Sequence, residues 1–376
     1  MKKEERIVIL LAKHFLNSDE KIELNDLLSE YLDWAEVLGH LSIHRVMGIA
    51  WNTLQKYHLD IPKRIRSYEK LLVTLKEYNK LLEVKLDEQV KNLIPVCDRI
   101  SKEKIQYASL KGIALNYFAY GMKIPRDFID NDILISIMNT KEIRSITESF
   151  GYKHGNKDFK FENIEEVSRK DIMLRSMKTH ELYPYIKKIP DSFIDYHFID
   201  YQFSLDLFSS QRSYDFVDDM LNNAVKIEIG KESIYSLDLE DTFIFTLHHF
   251  YKEAISERKV LSYKDVALYK VCDILFLLKN ENLNINRLIS RIKKMQLEKS
   301  IYYSLKYCEE LFNEDVKHIV SRISIENEDY LYEIYSDDYS RVTTYDRPLS
   351  KKVFDYTRAS SLQNKISKGS FKIENR

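Results

Sequence analysis

The sequence predicts an α+β fold, rich in helix, with a small mixed sheet in the middle of the chain. Apolar residues recur at three- and four-residue steps through both ends, the spacing that gives a helix one buried face. The middle instead carries short apolar and alternating tracts of strand type. Gly and Pro number 8 and 6 in 376 residues, too few for the turns of a many-stranded β sandwich. A chain this long exceeds what one core usually serves, so two or three packed units are expected. The pattern divides it into an N-terminal helical region (1–100), an α/β core (101–235), a C-terminal helical region (236–335) and a polar tail (336–376), weakly ordered or docked.

In the first region Trp34, Val37, Leu38, Leu41 and Ile43 begin a helical stripe that Val46, Ile49, Ala50 and Leu54 continue. Pro62 breaks it, and Leu71, Leu75, Leu82, Leu86 and Leu93 mark a long helix over 65–100. Residues 105–110 read as a strand, 113–120 as a helix, 121–126 as a loop and 128–137 as a buried strand. A helix follows over 141–150 and closes at Gly151. The aromatic, β-branched tract 193–208 is long enough for two paired strands or one with a bulge. The helical period returns over 243–250, 266–278, 285–295 and 301–312.

With 44% hydrophobic and 31% charged residues the chain is globular, and a net charge of −1 implies no global attraction to nucleic acid or anionic lipid. The start, MKKEERIVILLAKHFLN, has acidic residues before a short apolar core that Lys13 and His14 interrupt. It reads as an amphipathic helix rather than a signal peptide. No stretch approaches the roughly 20 apolar residues that cross a bilayer. Cys97, Cys272 and Cys308 have no paired spacing, which points to a reducing cytoplasm and away from a zinc site or disulfide framework.

The sharpest constellation is RDFIDNDILI, residues 126–135. Strand residues two apart face the same way, so Asp130 and Asp132 project both carboxylates to one side. Ile129, Ile133, Leu134 and Ile135 bury the strand around them. Adjacent carboxylates at the rim of a buried strand repel each other unless a cation neutralises them. Hard divalent ions such as Mg²⁺ accept such oxygen ligands and bring phosphate with them. A solvated strand end with two aspartates is the plain alternative. Upstream, Lys111-Gly112 joins a strand to a helix. Gly permits close backbone approach, and a helix start offers N–H groups to an anion. Arg126 carries the planar fork that clamps phosphate oxygens. Solvated surface charge is an equally good reading of Lys111 and Arg126.

LKGIAL (110–115), Ala119-Tyr120, Arg126, DNDILI (130–135) and FGY (150–152) together resemble the bacterial nucleotidyltransferase family often labelled uncharacterised. That family pairs a Leu-Lys-Gly segment with an Arg-x-x-x-Asp-x-Asp segment. THELYPYIKKI (179–189) resembles its middle segment, LHHFYKEA (247–254) with LYKVCDILFLL (268–278) its C-terminal helices, and DWAEVLGHLSIHRVMGIAW (33–51) its N-terminal ones. The resemblance implies the polymerase-β-like nucleotidyltransferase fold, in which a short mixed sheet carries three acidic residues. The third acid sits on a neighbouring strand, followed two positions later by His in many members. Asp200 fits with Gln202 in the His position, and Asp195 fits with His197 there. Asp200 is preferred because Phe203, Leu205 and Leu207 continue the strand, and Asp206 ranks third. Many nucleotidyltransferases of this fold carry Gly-Gly or Gly-Ser where this chain has Lys111-Gly112.

The resemblance further implies a Mg²⁺-dependent transferase that moves a nucleoside monophosphate from an NTP to a hydroxyl acceptor, whether small molecule, peptide or protein, or RNA end. Two ions are expected on Asp130, Asp132 and Asp200, with Mn²⁺ an admissible substitute. Lys111, Gly112 and Arg126 would carry phosphate. His180, His249 and Lys252 fall in family-like segments and are candidates to support the ligands or touch the acceptor. His249 and Lys252, three apart, share a helical face; a hydrogen-bonded core histidine is the plain reading. A non-catalytic binding protein that keeps the fold, as a biosynthetic-operon accessory or a toxin–antitoxin component, is the alternative. An RNA partner would need a basic stripe, for which 63–70 (KRIRSYEK) and 291–299 (RIKKMQLEK) are candidates.

Overall fold

The computed structural model of the chain describes residues 1–58, 69–158, 160, 162–205 and 214–373. Two compact units emerge, one of Lys80–Phe245 and one of Met1–Asn79 with Thr246–Arg376.

Lys80–Phe245 is built on a mixed sheet of eight strands: β1 Tyr107–Ser109, β2 Asp130–Ile135, β3 Lys153–Lys157, β4 Ile164–Glu166, β5 Tyr185–Lys188, β6 Tyr196–Gln202, β7 Val225–Ile229 and β8 Glu232–Ser236. Their order is β4-β3-β5-β6-β2-β1-β8-β7. β2 and β6 run parallel at its centre, and β1 flanks β2 antiparallel. The sheet is therefore larger than the short one expected. β3 (KHGNK) is too polar to announce itself, and β5 (YIKK) too short. The hairpin β7–β8 turns at Gly230, whose φ is 63°, a left-handed value that glycine adopts without strain.

The tract 193–208 holds one strand, Tyr196–Gln202, and no second one among its described residues. Phe193 to Asp195 instead belong to the β5–β6 turn, which Ile189 N closes on Asp195 O at 2.8 Å. Glu88 caps that turn, accepting from the Phe193 and Ile194 amides at 3.0 and 2.7 Å. Asp206 lies outside the described residues. The helix Glu69–Lys102 supplies Leu86, Leu93, Val96 and Ile100 to a core with Ile133, Ile135, Ile199 and Tyr201 from one face of the sheet. The opposite face of β2 carries the aspartates.

In the other unit the helix Lys3–Lys13 is buried along Ile7 to Lys13. Its charged first turn, Lys3 to Arg6, is exposed or half-buried while the apolar run behind it is enclosed. Buried Lys13 is neutralised by Glu20 at 2.7 Å. The stripe from Trp34 divides into two helices, Trp34–Ile43 and Met47–His58, at Arg45 with φ 56°. Pro62 and the expected start of the long helix at 65 lie outside the described residues.

The stretch after Ser336 contributes β10 Arg341–Thr344, paired with β9 Glu333–Tyr335 and β11 Lys372–Ile373, and the helix Arg358–Ser367. Its anchor is buried charge. Arg358 Nη2 meets Asp265 Oδ1 at 2.8 Å with both side chains at most 3% exposed, and Lys352 Nζ stands 3.6 Å from Asp265 Oδ2. Tyr356 Oη adds contacts to His40 Nδ1 at 2.8 Å and His44 Nε2 at 3.2 Å. No described helix is long and apolar enough to cross a membrane. Because loss of the shared carboxylate strands two buried cations, Asp265→Asn is expected to destabilise this unit by about 3–5 kcal/mol in urea unfolding.

Candidate active site

The site starts from strand register. In the parallel pair β2–β6, Asp132 is the direct partner of Asp200, and Asp130 of Phe198. Register partners in a parallel pair face the same way, as do residues two apart, so Asp130, Asp132 and Asp200 share one face. Asp130, at the first position of β2, is exposed, whereas Asp132 is 4% exposed. Ile133, Leu134 and Ile135 are buried as expected; Ile129, before the strand, is exposed.

The buried Asp132 and the partly buried Asp200 have distinct surroundings. Asp132 Oδ2 lies 3.1 Å from Lys111 Nζ, and Gln202 Nε2 donates to Asp132 Oδ1 at 2.8 Å. Burial pushes the Asp132 carboxyl up to about 6, with Lys111 opposing the rise and Asp130 adding to it. Asp200 is pushed well above the carboxylate range, by burial first and then by repulsion from Asp130, Asp132 and Glu181. Asp200 Oδ1 is buried with no hydrogen-bond partner among the described residues. A buried, unpartnered carboxylate oxygen is costly and needs a proton or a cation.

Lys111 and Gly112 arrive beside the acids because Leu110 N donates to Asp132 O at 2.9 Å, extending the β1–β2 ladder. Gly112 turns the chain with φ 55°, a left-handed value that favours glycine, and a Cβ there would press on the Phe128 ring at 3.1 Å. The helix it introduces, Ile113–Phe118, is shorter than the 113–120 expected. Fully buried Asn116 ties this bend to Arg126: its Nδ2 donates to Gly112 O at 3.0 Å, and its Oδ1 accepts from Arg126 N at 3.0 Å. Arg126 is itself 8% exposed and is no solvated surface charge.

On the far side of β6 the segment around Glu181 continues the sheet. Leu182 N donates to Tyr201 O at 2.9 Å and Phe203 N to His180 O at 3.0 Å. Glu181 thereby faces Gln202 in an antiparallel bridge, on the side that carries Asp200. Arg175 is ion-paired with Glu181, and His180 Nε2 is 3.8 Å from Glu181 Oε2. Sequence reasoning selected His180 and missed Glu181 beside it. It also missed Asn116, although a polar side chain four residues after a helix-leading glycine in an apolar run was a readable signal.

Asp195 does not join the group. It is exposed in the turn before β6 begins. His197, its companion in the alternative assignment, is fully buried on the other face. There it contacts Tyr152 Oη at 2.8 Å, Gln89 O at 3.2 Å and Asn131 Nδ2 at 3.2 Å. Asn131 Nδ2 also donates to Gln89 Oε1 at 2.7 Å, so this network braces the strand directly behind the Asp pair. His249 and Lys252 belong to the other unit, where His249 Nε2 lies 3.3 Å from Glu253 Oε2 and Lys252 is buried. Of the basic stripes, residues 63–68 lie outside the described residues, and Arg291 is 9% exposed.

Among the described residues no three His, Cys, Asp or Glu side chains are gathered into a ready-made ion cage. The donor set nonetheless suits Mg²⁺: hard carboxylate oxygens on two adjacent strands, one of them buried without a partner.

A helix-rich α+β chain whose mixed sheet sets three aspartates beside a Lys-Gly bend has the make-up of a nucleotidyltransferase. This chain belongs to the uncharacterised nucleotidyltransferase family, whose pattern matches residues 30–313. No curated protein matches it.

Burial holds the His197 pKa at about 4, below its usual 6.5. As pH falls the unfolded chain therefore takes the proton first. The stability that neutral His197 contributes is full above about 6.5, drains between about 6.5 and 4, and is then spent, a loss of about 3 kcal/mol. Urea unfolding of wild type and His197→Asn across this range checks it: the gap between the two should narrow as pH falls.

Proposed function

We propose that this protein transfers a nucleoside monophosphate from an NTP to a hydroxyl acceptor with Mg²⁺ at the aspartate cluster. The observation that carries the reading is the register of Asp132 with Asp200 on parallel strands, with Asp130 on the same face. Asp130, Asp132 and Asp200 would hold the ions. When bound, divalent ions neutralise the triphosphate and acidify the acceptor hydroxyl. Lys111, the Gly112 backbone and Arg126 would receive the phosphates, and Asn116 keeps that bend and Arg126 together.

In the transfer the acceptor oxygen bonds to the α-phosphorus. The bond from phosphorus to the bridging oxygen breaks, and pyrophosphate leaves with the electron pair. The hydroxyl proton is released to water. In-line displacement needs attacking and leaving oxygens on opposite sides. Lys111 follows β1 on one flank of the β2–β6 pair and Glu181 lies on the other. The acceptor accordingly approaches over Glu181 and Arg175.

The alternative, a non-catalytic member that keeps the fold, draws support from Lys111-Gly112 in place of a double small residue and from Gln202 in place of His. Calorimetry with Mg²⁺ and each of four NTPs separates the two, since silence across all four favours the alternative. Asp130→Asn and Asp132→Asn are each expected to reduce Mg²⁺-dependent NTP binding to background while circular dichroism stays that of the wild type. Unchanged binding in either variant refutes the assignment.

A further inference from the structure

Asp132 is a buried carboxylate, and the charge that balances it is Lys111, at 3.1 Å and itself only 19% exposed. Its second oxygen is occupied by the Gln202 amide. Lys111 ends a flexible four-carbon stem directly before the Gly112 bend. One ammonium cannot both hold Asp132 and contact a triphosphate at full strength. Nor is it tolerated beside a divalent cation on the same carboxylate, because like charges a few Å apart in a site of low dielectric repel strongly.

We propose that Lys111 is a resident counter-ion that competes with the divalent cation for Asp132 and passes to the triphosphate when nucleotide arrives, so that metal and nucleotide bind cooperatively. This deepens, and rests on, the metal and nucleotide reading above. A cation alone would gain Asp132 but displace a half-buried ammonium from it. A nucleotide alone would gain Lys111 but leave its phosphates facing unneutralised carboxylates. Together each charge finds a partner. The metal takes Asp132, Lys111 takes phosphate, and each ligand repays the displacement that the other requires. Linkage makes the effect reciprocal: the factor by which nucleotide tightens metal equals that by which metal tightens nucleotide.

The test uses the full chain, Mn²⁺ as the probe ion and non-cleavable α,β-methylene-ATP as the nucleotide, with free Mn²⁺ read by electron paramagnetic resonance. The wild type should bind Mn²⁺ weakly alone and about tenfold or more tightly with the analogue present. Lys111→Met should bind Mn²⁺ alone about tenfold more tightly than wild type, lose most of the coupling, and bind the analogue less tightly in saturating Mn²⁺. Lys111→Gln repeats the measurement should the Met variant not fold by circular dichroism. A folded Lys111 variant that binds Mn²⁺ alone no better than wild type, or keeps the wild-type coupling, overturns the proposal while leaving the metal reading intact. Asp132→Asn separates the two failures: if its Mn²⁺ binding equals that of the wild type with and without analogue, the metal reading falls, and this proposal with it.

Discussion

Two parallel strands in register put Asp132 beside Asp200, and like charges held that close in a buried place constrain everything around them. A buried carboxylate must be neutralised, protonated or hydrogen-bonded. Two of these solutions appear at Asp132. Lys111 and Gln202 engage the two oxygens of Asp132. Asp200 keeps one oxygen without a partner among the described residues, and both carboxyls are pushed up by burial. The site thus concentrates negative potential that a proton or a cation would neutralise.

Holding that geometry falls to groups that never need to touch a substrate. Behind β2, Asn131, Gln89, His197 and Tyr152 form a buried polar network that fixes the strand from the face opposite the acids. Asn116 joins the Gly112 bend to Arg126. Asn131 holds this network through its Nδ2 group, while its buried Oδ1 has no hydrogen-bond partner among the described residues. His197 stays neutral in it, and this is why a histidine two residues from Asp195 serves packing in this chain.

The other unit uses the same physics for a different end. Its polar C-terminal stretch is held by Arg358 and Lys352 on Asp265, a buried ion cluster, and by Tyr356 on two histidines of the N-terminal helices. Composition could suggest polarity there, but not which charges would meet.

Much of the design was legible from local pattern. The shared face of Asp130 and Asp132 follows from the two-residue period of a strand, and Gly112 announces a bend before an apolar helix. The helical stripes appear because burial of one face imposes a three- and four-residue step. Less legible were features that depend on partners far along the chain. Local pattern alone implies a helix-rich α+β chain with two acids projecting together from a buried strand, because strand and helix periods are local properties of the backbone. It takes the folded arrangement to set Asp200 and not Asp195 beside them, to bring Glu181 and Asn116 to the border of the site, and to rest Lys111 on Asp132. Register between β2 and β6, and the pairing of 180–182 with the end of β6, arise from contacts between segments about 60 or more and about 20 residues apart, which no local period records.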